Sequence, residues 1–152
     1  MRGKIISCFP CCGKTYFCTN YFEQMDVIDH DMYDFRFRGG HGDKWFDFYL
    51  ARMRQLIRKF DYIFVNAIPE IIEQLPSTSM VIYPHKSLKN DWVNRAKSRG
   101  GESAFPKLLE EKWDEWIKAC EKWKGKSHVL AKGEYLTDCF DIFKRNNGIT
   151  VN

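Results

Sequence analysis

The stretch Cys8-Phe9-Pro10-Cys11-Cys12-Gly13-Lys14-Thr15 decides how this chain is read. It follows the apolar pair Ile5-Ile6 near the N-terminus. Gly-Lys-Thr at a strand-to-helix passage is the back half of a phosphate-binding loop, G-x-x-x-x-G-K-[ST]. In such a loop backbone N–H groups cradle phosphate oxygens, the Lys neutralises the terminal phosphates and the hydroxyl holds Mg²⁺. Lys14 is therefore expected on the β- and γ-phosphates and Thr15 on the metal, with Gly13 letting the backbone turn into the helix. Cys11, Cys12, Gly13, Lys14, Thr15 and Tyr16 form the candidate nucleotide cradle. Cys8 stands where the pattern opens with Gly. A Cβ restricts the backbone there, so the expectation is a loop whose affinity for ATP is weakened and not lost.

Working outward, short apolar strands alternate with amphipathic stretches. Lys4 to Phe9 reads as a buried strand, Met25 to Ile28 as a second, Asp61 to Asn66 as a third, Met80 to Tyr83 as a fourth and Ser127 to Leu130 as a fifth. Phe46, Tyr49, Leu50, Met53, Leu56, Ile57 and Phe60 recur at three- and four-residue spacing, which predicts a helix over 44–59. Pro69 opens a short helix, Ser87 is placed to cap one running to about Ser98, and Gly100-Gly101 to end it. Leu109, Trp113, Trp116, Ile117, Cys120 and Trp123 form one stripe of a longer helix near 103–124, read as core. Tyr135 to Lys144 is expected as a closing helix. Residues 33–44, rich in Gly around His41, are expected as an irregular loop.

This alternation predicts an α/β fold: a three-layer P-loop NTPase arrangement with a mainly parallel five-stranded sheet and a helical lid. A single domain over 1–145 with a frayed tail at 146–152 fits the 152 residues.

Composition sets further bounds. Charged residues make up 29% and the formal net charge is +4, mild for a phosphate-handling protein and too small to argue for duplex nucleic acid. No apolar run approaches a membrane span and no signal peptide precedes the first strand, so a cytoplasmic protein without a membrane partner is expected. The six cysteines would then be reduced thiols, four of them within the first eighteen residues. Cys8-Phe9-Pro10-Cys11 formally reads C-x-x-C, but zinc would want a second such pair, which is missing.

In open α/β sheets ligands bind beyond the carboxyl ends of the strands. That rule selects Asp29 and Asp31 after the second strand, Asn66 to Ile68 after the third, and Pro84 to Lys86 after the fourth. A carboxylate so placed orients or deprotonates an acceptor hydroxyl, or helps hold Mg²⁺. Asp31 is the candidate base and Asp29 the candidate metal or substrate ligand, although Asp31 also suits a helix cap. Arg95 and Arg99 share a helix face and, with Lys86, offer cations to a transferring phosphate; a solvated basic face is the plainer alternative. Arg36 and Arg38, next to the His41 loop, are candidates to hold the acceptor.

The order of these motifs resembles a family of small P-loop nucleotide kinase-like, ATP-binding proteins of bacteriophages. Its phosphate loop is similar to Cys8–Thr15, its aspartate pair to Asp29-His30-Asp31 and its D-Y-I-F-V strand to Asp61 to Val65. A Y-P-x-x-S-L-K segment is matched by Tyr83 to Lys89, the arginines by Arg95 and Arg99-Gly100, and a late G-E-Y-L-x-D by Gly133 to Asp138. The resemblance implies the nucleoside-monophosphate-kinase-like branch, ATP and Mg²⁺ as cofactors, and the host cytoplasm as location if the chain is phage-encoded. The departures are Cys8 and Cys11, where that family carries Gly. Its implied acceptor is a nucleotide, foremost a deoxynucleoside monophosphate. The aspartate pair is also similar to that of P-loop kinases acting on a hydroxyl, which implies a nucleoside, nucleic-acid end or modified DNA base instead. A nucleotide-binding module without turnover is the third alternative, and the sequence leaves the oligomeric state open.

Overall fold

In a computed structural model, residues 3–99 (apart from 22 and 24) and 104–139 are described. Five strands are laid down in the order β1 (Lys4–Cys8), β2 (Val27–Asp29), β3 (Tyr62–Asn66), β4 (Met80–Pro84) and β5 (Lys126–Leu130). They assemble as β2-β3-β1-β4-β5, every neighbouring pair parallel. Each parallel step needs a crossover, supplied by α1 (Lys14–Tyr21), α2 (Met32–Arg38), α3 (Trp45–Leu56), α4 (Pro69–Ile72), α5 (Lys89–Ser98) and α6 (Ala104–Glu121).

Strand alternation divides the core. Ile5, Ile63 and Val65 gather with Met32, Tyr49, Met53 and Leu56 of α2 and α3. Ile6, Cys8, Tyr62 and Phe64 gather with Phe17 of α1, Trp92 and Val93 of α5, and Leu109, Trp113 and Trp116 of α6. Successive strand side chains point to opposite faces, so these are two helical layers around one sheet. The tryptophan stripe is core as read: Trp113 and Trp116 are buried, Phe9 meets both edge-on, and Trp123 packs at the margin.

The switch point lies where β1 is flanked by β3 and β4. There Phe9 N–H donates to Ile82 O and Ala67 N–H to Cys8 O. This fixes the loop after β1 above the carboxyl ends of three strands.

Three expectations change. Residues 32–38 form α2 instead of irregular loop: Asp31 caps it by accepting from Asp34 N–H at 3.0 Å, and Met32 is buried beneath it. Seven residues between Asp31 and Gly39 leave too short a pattern to show a period. Secondly, a short 3₁₀ turn, Lys86–Leu88, precedes α5, and His85, not Ser87, caps it. Thirdly, Leu136–Cys139 is a 3₁₀ turn, and residues 140–144 of the expected closing helix lie outside the described residues, as do the helix-ending Gly100-Gly101 and the tail.

Candidate active site

Cys8 is not a loop residue. It ends β1 in register with Asn66 and Ile82, 1% exposed, with its thiol against Cys12. Burial pushes that thiol well up. A side chain is therefore tolerated at the pattern's first position, because the strand continues through it. Cys11 differs: its φ of 65° makes it the one non-glycine with positive φ among the described residues. Gly13 takes φ 90°, and a Cβ there would stand 3.3 Å from the Tyr135 ring. Loop entry thus falls to Cys11 and loop exit to Gly13. The C-x-x-C reading also dissolves, since Cys8 faces Cys12 while the Cys11 sulfur accepts from Arg99 Nη1 at 3.3 Å.

Lys14 opens α1 and turns back over the sheet. Its ammonium pairs with Asp29 Oδ1 and stands 3.4 Å from Asp31 Oδ1. Burial alone would depress the Lys14 pKa, but the two carboxylates outweigh it and hold it above the ordinary lysine value. Thr15 Oγ1 donates to Asp29 Oδ2 at 2.9 Å. Asp29, the last residue of β2, thus bridges the two side chains on which a phosphate loop depends.

Asp31 sits where three elements meet. It caps α2, faces Lys14, and accepts from Asn66 Nδ2 at 3.3 Å. Asn66, at the end of β3, also accepts from Met32 N–H at 2.8 Å, so one amide locks α2 to the sheet. Burial pushes the Asp31 carboxyl up, but Lys14 and the donors from Asp34 and Asn66 bring it below the usual range. It is an ionised carboxylate at neutral pH, held by fixed donors.

Between the aspartates, His30 turns the other way. Its ring stacks on Tyr49 at 4.0 Å, Nε2 lies 3.0 Å from Tyr49 O, and Tyr49 Oη donates to His30 O at 2.8 Å. This reciprocal staple ties the β2 end to α3. Its signal in sequence is slight: one histidine between two acids.

The arginine helix braces the loop. Arg95 donates to Cys11 O at 3.1 Å and to Glu134 O at 2.9 Å, with its guanidinium 3.7 Å from the Trp92 ring centroid and 3.8 Å from that of Tyr135. Both faces and both terminal nitrogens are engaged, a bracing geometry that spacing could not reveal. Arg99, one turn on and exposed, reaches the same loop at Cys11.

The remaining candidates spread outward. Arg36 lies 5.1 Å from the Phe37 ring and 5.0 Å from that of Trp45, lining a cavity of ≈ 300 Å³ with Gly40, His41, Gly42 and Asp43. Tyr33 stacks on Phe37, one wall of this cavity, and meets Phe105 edge-on; its phenol is pushed up by burial and by Asp31. Arg38 pairs with Asp34 at 3.4 Å on the solvent face of α2. Lys86 and Tyr16 are exposed; the carbonyl of Lys86 anchors Trp113 Nε1 at 3.2 Å.

The donor set fits the cofactors that the motif implies. A hydroxyl and a carboxylate, Thr15 and Asp29, are hard oxygen ligands suited to Mg²⁺, and Lys14 lies between them and Asp31.

No family model matches the chain, and no curated protein matches it. Solved structures do. Shikimate kinase from Acinetobacter baumannii, in complex with shikimate, superposes with a TM-score of 0.59 at 15% identity, covering 100% of this chain and 97% of its own. The tunicamycin resistance protein of Deinococcus radiodurans gives 0.61 at 12% identity, over 98% of both chains. A gluconokinase from Sinorhizobium meliloti gives 0.52 at 14% identity, covering 90% of this chain and 86% of its own. The fold is shared with these structures: a five-stranded parallel sheet between helical layers.

Proposed function

We propose that this chain is an ATP- and Mg²⁺-dependent phosphotransferase whose acceptor is a nucleoside-type molecule phosphorylated on a hydroxyl. One observation carries the reading: an ionised, donor-locked Asp31 stands 3.4 Å from the phosphate-loop lysine at the switch point of a P-loop kinase fold. A phosphate oxygen is already ionised and needs no base, whereas a hydroxyl does. The similar kinases of shikimate and gluconate agree with a hydroxyl acceptor.

ATP with Mg²⁺, when bound, supplies the phosphoryl group. Lys14 would pair with the phosphate oxygens in place of its carboxylate partners, and Asp29 and Thr15 would hold the metal. Asp31, still held by Asn66 and by the Asp34 N–H, takes the acceptor's proton. Arg95 holds the Cys11 carbonyl and keeps the loop's shape, while Arg99 is the cation beside its mouth. The Tyr33, Phe37, Trp45 and Arg36 surface suits a planar ring with a polar edge.

A deoxynucleoside monophosphate is the second reading, favoured by Arg36, a cation within an aromatic-walled cavity. γ-Labelled ATP offered with nucleosides, nucleoside monophosphates and oligonucleotides separates the two. Label on a hydroxyl of a nucleoside or oligonucleotide supports the proposal, and label on a monophosphate supports the second reading. ATP binding with no labelled product would make the chain a nucleotide-binding module instead.

A further inference from the structure

Away from the phosphate loop, the last described segment brings three metal-ligating side chains of different chemistry together. His128 is the middle residue of β5, Glu134 follows a tight turn, and Cys139 ends the 3₁₀ turn behind it. The turn is built to return Glu134: Gly133 takes φ 77°, Glu134 N–H donates to Ala131 O at 3.1 Å, and Ala131 N–H donates to Glu134 Oε1 at 2.9 Å. His128 Nε2 is 3.3 Å from Glu134 Oε1, and the imidazole nitrogen, carboxylate oxygen and Cys139 sulfur all lie within 4.8 Å of one another. We propose that His128, Glu134 and Cys139 form a zinc site that clips the 131–139 segment to the edge strand β5.

The donor set is one nitrogen, one oxygen and one sulfur, which suits Zn²⁺ and not the all-oxygen preference of Mg²⁺ or Ca²⁺. Tetrahedral zinc with bonds of about 2.0–2.3 Å separates its ligand atoms by about 3.3–3.6 Å. The His128–Glu134 separation already meets that figure, and the sulfur needs to close by about 1.5 Å at most. Cys139 is 1% exposed, while the side chains of His128 and Glu134 are each 24% exposed, so the thiol forms the floor and the other two leave an opening to solvent. On binding, the Cys139 thiol gives up its contact with Tyr135 O (3.5 Å) and releases its proton to solvent, leaving a thiolate–zinc bond. The fourth position is left to water.

The clip would be felt at the phosphate loop. Leu136 N–H donates to Cys12 O at 3.0 Å, Arg95 bonds Glu134 O, and Tyr135 backs both Arg95 and Gly13. The segment held by zinc is thus the one that supports the loop from behind.

The test uses the full chain, stripped with chelator and kept reduced. Titration with ZnCl₂ is expected to show one equivalent bound with proton release and a rise in melting temperature. CoCl₂ is expected to show a thiolate-to-cobalt charge-transfer band. His128→Gln and Cys139→Ser should each weaken zinc by more than the roughly 10–100-fold that follows loss of an outer-shell partner. Cys139→Ser should also erase the cobalt band. Cys12→Ser, which removes a thiol of the loop cluster, should leave both intact. His128→Gln keeps the test sound if the buried Cys139 variant folds poorly. No zinc uptake, uptake unmoved by His128→Gln, or uptake lost with Cys12 would overturn the proposal.

Discussion

Cys11 and Cys8 look alike in sequence, yet the backbone treats them oppositely. At Cys11 the φ of 65° costs a side chain about 1–2 kcal/mol relative to Gly, whereas Cys8 has ordinary strand geometry. Urea unfolding should therefore find Cys11→Gly more stable than Cys11→Ala by about 1 kcal/mol. At Cys8 the order should reverse, by about 0.5–1 kcal/mol. Equal order at both sites would contradict the loop geometry. The sequence places a strand-to-helix passage at Cys8–Lys14, where the structure has one, but a departure from a glycine pattern does not say which position bends. Nor could it show that Arg95 braces the loop, because that depends on rings at Trp92 and Tyr135 brought together from distant segments. Lys14→Arg should impair phosphoryl transfer nearly as badly as Lys14→Ala, since the Lys14 side chain is only 10% exposed and a larger guanidinium, favoured by carboxylates, would stay bound to Asp29 and Asp31. Transfer assays on purified variants test this, and full activity in Lys14→Arg would refute it.

At the scale of elements, α2 is the piece that the sequence hid. Its seven residues carry no readable period, and its existence rests on the Asp31 cap, on Asn66 holding Met32 N–H, and on the burial of Met32. Asn caps as well as Asp, while Ala does not. Asp31→Ala should thus cost stability by about 0.5–2 kcal/mol, and Asp31→Asn much less, measured by thermal or urea denaturation. Behind α2, the His30–Tyr49 staple makes folding sensitive to acid. Burial holds the His30 pKa below its ordinary value, outweighing the Tyr49 carbonyl, so the folded chain binds fewer protons than the unfolded one. That contribution to stability is intact above the unfolded pKa of about 6.5 and is lost as pH falls toward and through the folded value. Asp31 has the same sign but acts only below about 3.9, so the two windows separate. The melting temperature should drop between about pH 7 and pH 5 in the parent protein and less in His30→Gln. Parallel profiles would show that His30 does not titrate there.

For the whole molecule, the alternation of short apolar strands with helices was enough to reach the three-layer parallel sheet, because a βαβ chain has few ways to bury both faces. The location rule for such sheets selects Asp29, Asp31 and Asn66 from the sequence alone. What remained hidden was pairwise: Lys14 bridging two carboxylates, Asn66 locking Asp31, and Tyr33 meeting Phe105 edge-on. These relations join residues from different strands, and no spacing along the chain encodes them. They make the central claim specific, namely that Asp31 serves as base toward an acceptor hydroxyl. The most direct measurement is the rate of phosphoryl transfer from ATP in Asp31→Asn against the parent, with the hydroxyl acceptor found by the labelled-ATP screen. Asn keeps the cap, so the fold is retained while the base and its charge pairing with Lys14 are removed. The account predicts a rate lower by roughly 10²–10⁴-fold, with a melting temperature far closer to the parent's than that of Asp31→Ala. A variant that transfers phosphate as fast as the parent would contradict it.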